Sequence, residues 1–119
     1  VIMKIMKRII NAFKYSYDGL RAAFKSEAAF RQDILIFVAG TIVAILLPVG
    51  ALSTGLMICS LLFILFAELA NTAIETVIDR ISTERNPLSK KAKDIGSALV
   101  MLSFINALII WIMILIERF

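Results

Sequence analysis

Apolar residues fill long stretches of this sequence, and charged residues are confined to the segments between them. No charged residue lies between Asp33 and Glu68, and none lies between Asp94 and Glu117. Because about 20 helical residues span the hydrocarbon core of a bilayer, uncharged runs of this length are typical of transmembrane helices. The pattern predicts three membrane spans, over residues 28–48, 53–79 and 90–116. "PVG" at Pro48–Gly50 marks a turn after the first span, and Asn86-Pro87 interrupts the chain between the other two.

The first 26 residues show a different pattern, in which mostly apolar positions recur at helical spacing and basic residues occupy the other faces. The recurring positions are Ile5, Ile9, Ala12, Phe13, Ser16, Leu20 and Phe24. A helix with an apolar stripe and a cationic remainder lies in the plane of an anionic membrane surface. We therefore expect an all-α membrane protein with one domain over residues 1–119, in which a surface helix over 1–26 precedes the three spans.

Composition supports a membrane protein, and the placement of the basic residues predicts its orientation. The chain is 61% hydrophobic with a mean hydropathy of +0.92, and its net charge is +4. Basic residues precede the first span and flank the connection between the second and third spans, whereas the turn near Pro48 has none. The positive-inside rule therefore places the N-terminus and the Arg80–Lys93 connection in the cytoplasm, and Phe119 on the opposite side.

The stretch "LLFILFAELANTAIETVIDR", residues 61–80, carries acids within its otherwise apolar pattern. Glu68, Asn71, Glu75 and Asp79 follow one another at intervals of three, four and four. At about 100° per residue these positions form one narrow stripe on a helix. An ionised acid near the bilayer centre costs about 2.5–3.5 kcal/mol or more. The stripe therefore indicates a path that reaches into the membrane from cytosolic water.

Two further polar patches are predicted at the same membrane face. Glu27, Arg31, Gln32 and Asp33 begin the first span, and Lys90, Lys93, Asp94 and Ser97 begin the third. Carboxylates that hold a divalent cation, with lysines nearby, are an arrangement that binds nucleotide phosphates. The glycines form neither a Walker motif nor a kinase GxGxxG loop. We interpret the sequence neighbours Asp79-Arg80 and Glu84-Arg85 as ordinary interfacial charge pairs.

Four segments together resemble the bacterial integral-membrane diacylglycerol kinases, and the resemblance covers nearly the whole chain. They are "YSYDGLRAAF" at 15–24, "EAAFRQD" at 27–33, "AELANTAIETVIDR" at 67–80 and "KAKDIGSA" at 91–98. The sequence departs from the family pattern at Asp33, where that pattern has a longer acidic residue, and at Asn86-Pro87. The resemblance implies a homotrimer in the bacterial inner membrane that transfers the γ-phosphoryl group of ATP to the primary hydroxyl of diacylglycerol, giving phosphatidic acid.

The resemblance also implies roles for individual residues. Glu68 would be the general base, with Asn71 as a polar support, and Glu27 and Glu75 would hold Mg²⁺. Nucleotide contacts would come from Arg8, Tyr15, Glu27, Glu75, Glu84, Arg85, Asn86, Lys93 and Asp94. Lipid contacts would come from Arg21, Ala29, Phe30, Arg31, Gln32, Asp33, Glu68, Ser97 and Trp111, and Trp111 is also suited to anchor a helix end at the interface.

Two alternatives remain open at this stage. An undecaprenol kinase of the same superfamily shares the "AEL…NTAIE" and "KD" elements, although "EAAFRQD" and "VIDRIS" favour the diacylglycerol type. A small ion-coupled transporter, from another functional class, would use Glu68 as an intramembrane proton carrier. The transporter accounts for one buried acid, but it does not account for polar clusters at only one membrane face.

Overall fold

The computed structural model describes residues 1–119 and contains four helices without any strand. In chain order the helices are α1 (Ile2–Ser26), α2 (Ala28–Leu46), α3 (Ala51–Ile81) and α4 (Pro87–Arg118). The last three are long and apolar enough to cross a membrane. The all-helical fold class predicted from the sequence is confirmed.

The helix bounds differ from the predicted spans mainly at the start of α4, which begins at Pro87 rather than at residue 90. The Asn86 Oδ1 atom accepts a hydrogen bond from the Leu88 backbone N–H at 2.8 Å, so Asn86 caps the helix. Proline is favoured at the first helical position, where its missing N–H has no intrahelical partner to lose. Asn86-Pro87 therefore starts a helix as well as interrupting the chain. Helix α2 ends at Leu46, and α3 runs from Ala51 to Ile81.

The turn between α2 and α3 depends on a glycine and on an arginine from the other end of the chain. Gly50 has a φ of 88°, a left-handed conformation that glycine adopts at little cost. The Arg118 side chain donates a hydrogen bond from Nε to the Pro48 carbonyl oxygen at 2.5 Å. The end of α4 is thereby joined to this turn.

Helix α3 lies between α2 and α4 and packs against both. The apolar core consists of Leu61, Ile64 and Ala107, against which Phe37, Phe104 and Trp111 pack. Only 14 of 119 residues are buried, and most large apolar side chains of these helices face outward. An outer apolar surface of this extent is expected where lipid rather than water surrounds the helices.

Helix α1 extends sideways from the other three. Apart from Ala23 all its residues are at least partly exposed, and its main contact is with α2. The molecule measures 51 × 46 × 24 Å. Since a helix with its side chains is about 10–12 Å wide, three packed helices do not account for 46 Å, whereas a long projecting α1 does. The start of α2, the end of α3 and the start of α4 lie together, and we call this end of the bundle the polar end.

Candidate active site

The predicted stripe on α3 faces the inside of the bundle and becomes more exposed toward the polar end. Glu68 and Asn71 are only 7% and 9% exposed. Glu75, one turn further on, is half-buried, and Asp79 is exposed. Val77, on the opposite side of α3, is 59% exposed. The stripe therefore connects a buried carboxylate to the polar end of the molecule.

Three further carboxylates lie in the neighbourhood of Glu68, and two of them come from the start of α2. The charged neighbours of Glu68 are Asp33, Glu75 and Glu27. Asp33 is 6% exposed, and its Oδ2 atom has no hydrogen-bond donor from the chain. Because ionised carboxylates only accept hydrogen bonds, such a cluster requires a proton, a cation or a hydroxyl donor among its oxygens. The first polar patch and the α3 stripe thus form one acidic site.

Glu27 owes its position to the junction between α1 and α2. Its backbone is extended, with φ −116° and ψ 108°, so it ends α1 and caps the start of α2. The Arg31 guanidinium donates hydrogen bonds to the Phe24 and Lys25 carbonyl oxygens at 2.6 and 3.1 Å. These carbonyls are at the end of α1, where no intrahelical donor remains for them. Arg31 therefore fixes the junction at which Glu27 sits, a role that the sequence does not reveal.

Asn71 connects the acidic stripe to α4. Its Nδ2 donates a hydrogen bond to Glu75 Oε1 at 3.2 Å, while its Oδ1 is buried without a hydrogen-bond partner. A Cβ added at the buried Gly96 would collide with this Oδ1 atom. The spacing of the glycines excludes a phosphate loop at Gly96, but it does not predict that Gly96 is a packing position. The available signal was a glycine inside an apolar helix, which often marks a close helix–helix approach.

An open cavity of about 680 Å³ lies at the α3–α4 connection. Lys93, which lines it, contacts Asp79 at the exposed end of the acidic stripe. The lining of the cavity includes all five nucleotide-contact candidates of that region, which are Glu84, Arg85, Asn86, Lys93 and Asp94. We call this cavity the connection groove. Its mixture of cationic, acidic and amide side chains suits a polar ligand with phosphate groups.

The charge pairs at the polar end differ from those expected. Lys93 Nζ contacts Asp79 Oδ1 at 2.9 Å, and Lys90 Nζ contacts Asp94 Oδ2 at 2.7 Å. The expected pairs Asp79-Arg80 and Glu84-Arg85 are not formed. Asp79 and Arg80 are adjacent on α3, where neighbouring side chains point in different directions, whereas residues four apart, or on a neighbouring helix, can face each other. Glu84 and Arg85 lie in the irregular connection between α3 and α4 and form no ion pair there.

The nucleotide candidates on α1 lie elsewhere. Arg8 and Tyr15 line a separate open cavity of about 460 Å³, together with Lys4 and Lys7. Neither residue lines the connection groove. Within one chain, the structure therefore brings together the candidates of the connection but leaves those of α1 apart from them.

The predicted lipid contacts differ in exposure, and Arg31 and Trp111 are intermediate. Phe30, Asp33 and Glu68 are buried, whereas Arg21, Ala29, Gln32 and Ser97 are exposed. Trp111 is half-buried, and its indole Nε1 donates a hydrogen bond to Ser60 Oγ at 3.1 Å. The indole N–H, which an interface anchor would offer to headgroups, thus has a partner on α3.

The donors present fit a magnesium ion that shares its coordination with phosphates. No three acidic side chains are close enough together to enclose a metal ion by themselves. Mg²⁺ typically takes only one or two protein carboxylates and completes its shell with water and phosphate oxygens. Glu27 and Glu75, both half-buried and both near Glu68, meet that requirement.

Three apolar helices that carry acids, with a polar groove at one end of the bundle, are typical of a helical membrane protein with a polar site at that end. The family model for prokaryotic diacylglycerol kinase matches residues 14–115. The chain belongs to the prokaryotic diacylglycerol kinase family, and it is an enzyme.

Similarity to individual members extends over nearly the whole chain. The diacylglycerol kinase of Pseudomonas aeruginosa strain PAO1 is 48% identical over 111 residues, which are 93% of this chain and 90% of that protein. The diacylglycerol kinase of Escherichia coli K12 is 44% identical over 112 residues, covering 94% and 92% of the two chains. The diacylglycerol kinase of Helicobacter pylori strain 26695 is 38% identical over 108 residues, covering 91% and 84%.

Proposed function

We propose that this chain transfers the γ-phosphoryl group of ATP to the primary hydroxyl of diacylglycerol, giving phosphatidic acid and ADP. Family membership and the names of its relatives support the substrate. The observation that carries the proposal is the buried Glu68, with three other carboxylates in its neighbourhood, at the polar end of apolar helices. In this proposal the lipid reaches Glu68 from the membrane, and the nucleotide reaches it from the water at the polar end.

Glu68 acts as the general base in this proposal. The bond from the γ-phosphorus to the β,γ-bridging oxygen breaks, a bond from the γ-phosphorus to the lipid hydroxyl oxygen forms, and ADP leaves. The hydroxyl proton passes to the Glu68 carboxylate. A positioned base of this kind contributes about 10²–10⁴-fold to the rate. Asn71 serves as a polar support between Glu68 and Glu75, and Asp33 contacts the lipid substrate beside Glu68.

Glu27 and Glu75 hold the metal in this proposal. Mg²⁺, when bound, neutralises charge on the ATP phosphates as the transferred group moves. The hydrogen bond from Asn71 keeps the Glu75 carboxylate in the orientation in which it would bind the metal. The junction held by Arg31 does the same for Glu27 from the other side of the site.

The connection groove binds the nucleotide. Lys93 and Asp94 contact it near the acids, and Glu84, Arg85 and Asn86 contact it from the connection. Arg8 and Tyr15 contribute from α1. On the lipid side we assign the exposed residues Arg21, Ala29, Gln32 and Ser97, the buried Phe30, and Arg31 and Trp111.

We further propose that the chain forms a homotrimer in the bacterial inner membrane. The N-terminus and the α3–α4 connection face the cytoplasm, and Phe119 faces the periplasm. The excess of basic residues in α1 and around the connection supports this orientation. ATP is available on that side, so the polar end meets its nucleotide there.

The decisive experiment is a radiolabelled-ATP assay on the purified chain in mixed micelles, with diacylglycerol and undecaprenol supplied in parallel. We expect Mg²⁺-dependent labelling of diacylglycerol, with undecaprenol labelled far more slowly. A preference for undecaprenol would assign the other lipid alcohol. If neither lipid is labelled, in material shown to be folded by circular dichroism, the proposal is overturned.

A further inference from the structure

Helices α3 and α4 approach each other closely where Asn71 faces Gly96. A Cβ built on Gly96 would collide with Asn71 Oδ1, and it would lie 3.3 Å from Asn71 Cγ and 3.7 Å from Asn71 Cα. The nearby Cα shows that the α3 backbone itself is close. The side-chain amide of Asn71 therefore occupies the space that any larger residue at position 96 requires.

The collision affects Glu75 through the geometry of the amide. Oδ1 and Nδ2 belong to one planar group, so a rotation that moves Oδ1 away from position 96 also moves Nδ2. Nδ2 is the atom that donates to Glu75 Oε1 at 3.2 Å. Asn71 is 91% buried by the packing of α3 and α4, which leaves little room for another orientation.

We propose that Gly96 is a positioning residue, whose missing side chain lets Asn71 hold Glu75 in the orientation that binds the metal. The inference rests on the proposed function, because it assumes that Glu75 is a metal ligand. It assigns to α4 a share in the metal site that none of its polar side chains provides. Residues that orient a metal ligand typically affect metal affinity or activity by about 10–100-fold when they are changed.

Gly96→Ala tests the proposal, and the chain supplies matched controls. A Cβ at Gly55, on α3, or at Gly19, on α1, would meet nothing within 4 Å. We expect Gly96→Ala to raise the Mg²⁺ concentration needed for half-maximal activity about tenfold or more. Gly55→Ala and Gly19→Ala should leave it unchanged, and Gly96→Ala should leave the Michaelis constant for the lipid unchanged.

A direct binding measurement provides a second readout. Mn²⁺ affinity is measured by electron paramagnetic resonance on the purified chain with a non-hydrolysable ATP analogue, with Glu75→Gln as the positive control. Gly96→Ala should weaken Mn²⁺ binding about tenfold or more, in the same direction as Glu75→Gln. Equal binding by Gly96→Ala and the unchanged chain would overturn this inference alone. No Mn²⁺ binding by the unchanged chain would overturn the proposed metal site, and this inference with it.

A double-mutant cycle separates positioning from a general packing effect. In an Asn71→Ala background the amide is already absent, so adding Gly96→Ala should cause no further loss of Mn²⁺ affinity. A further loss of the same size would show that Gly96 acts independently of Asn71 and would overturn the proposal. If Gly96→Ala fails to fold, Asn71→Ala alone must weaken Mn²⁺ binding, and undiminished binding in that variant contradicts the proposal.

Discussion

Lys93 Nζ lies 2.9 Å from Asp79 Oδ1, so the last residue of the acidic stripe on α3 is paired with a cation on α4. Their side chains are 43% and 55% exposed, and a pair this accessible contributes only about 0–1 kcal/mol to stability. Lys93 also lines the connection groove. The contact therefore holds the lysine at the edge of the groove without tying it strongly to α3.

Lys93→Met should raise the Michaelis constant for ATP about tenfold or more, because a charge-assisted contact to phosphate is lost. Steady-state kinetics with ATP and lipid varied independently will measure this effect. Asp79→Asn should raise the same constant less, since it removes only the group that holds the lysine. Lys91→Met, which removes an exposed cation outside the groove, is the control. A change confined to the lipid constant would contradict the assignment of Lys93 to the nucleotide.

Glu68→Gln should reduce phosphoryl transfer by about 10²–10⁴-fold while the chain stays folded, because the amide keeps the shape but cannot take the hydroxyl proton. Thermal stability should be equal or higher, since one negative charge leaves a cluster of four carboxylates. Turnover, size-exclusion profile and thermal unfolding are measured on the same preparation. Normal turnover would remove Glu68 from the mechanism. Loss of the oligomer in the size-exclusion profile would show that the role of Glu68 is structural.

The features that the sequence predicts are those set by local periodicity and by the exclusion of charge from hydrocarbon. Three apolar helices and an inward-facing stripe of acids follow from these two rules alone. The sequence also predicts that the three polar patches lie at one membrane face, but it does not predict that Glu68 is buried beside Asp33. Capping by Asn86 is readable too, but it requires that proline be considered as a helix start as well as a helix break.

Contacts between helices are a different matter, because spacing within one helix does not determine which residue on the next helix it meets. The pairing of Asp79 with Lys93, the fit of Asn71 against Gly96, and the hydrogen bonds of Arg31 each depend on how neighbouring helices are placed. Sequence neighbours such as Glu84 and Arg85 suggested a pair that the structure does not form. A glycine within an apolar run was the one local clue to such a contact.

Arg31→Gln should loosen the end of α1, because the hydrogen bonds to the Phe24 and Lys25 carbonyls are lost. Hydrogen bonds from charged groups contribute about 1.5 kcal/mol or more, so amide hydrogen exchange in residues 22–27 should become about tenfold faster. Mass spectrometry of the detergent-solubilised chain will measure it.

Lys25→Gln is the control for that experiment, since it removes a cation from the same helix end without removing these bonds. If Arg31 serves only as a lipid contact, Arg31→Gln should raise the Michaelis constant for the lipid and leave amide hydrogen exchange at the α1–α2 junction unchanged. Faster exchange together with a higher Mg²⁺ requirement would instead show that the junction positions Glu27.

Ser60→Ala should destabilise the helix bundle more than Trp111→Phe, although both remove the hydrogen bond between the indole Nε1 and Ser60 Oγ. Trp111→Phe leaves Ser60 still donating to the Met57 carbonyl oxygen at 2.6 Å, whereas Ser60→Ala leaves a half-buried indole N–H without an acceptor. An unsatisfied donor of this kind costs about 1–3 kcal/mol. Thermal unfolding in one detergent gives the comparison, and equal losses of stability from the two variants would contradict the prediction.

Lipid kinetics on the same two variants test the proposed lipid contact at Trp111. A change in the Michaelis constant for the lipid in Trp111→Phe alone supports direct contact. Equal changes in both variants indicate an effect through the pairing of α3 with α4.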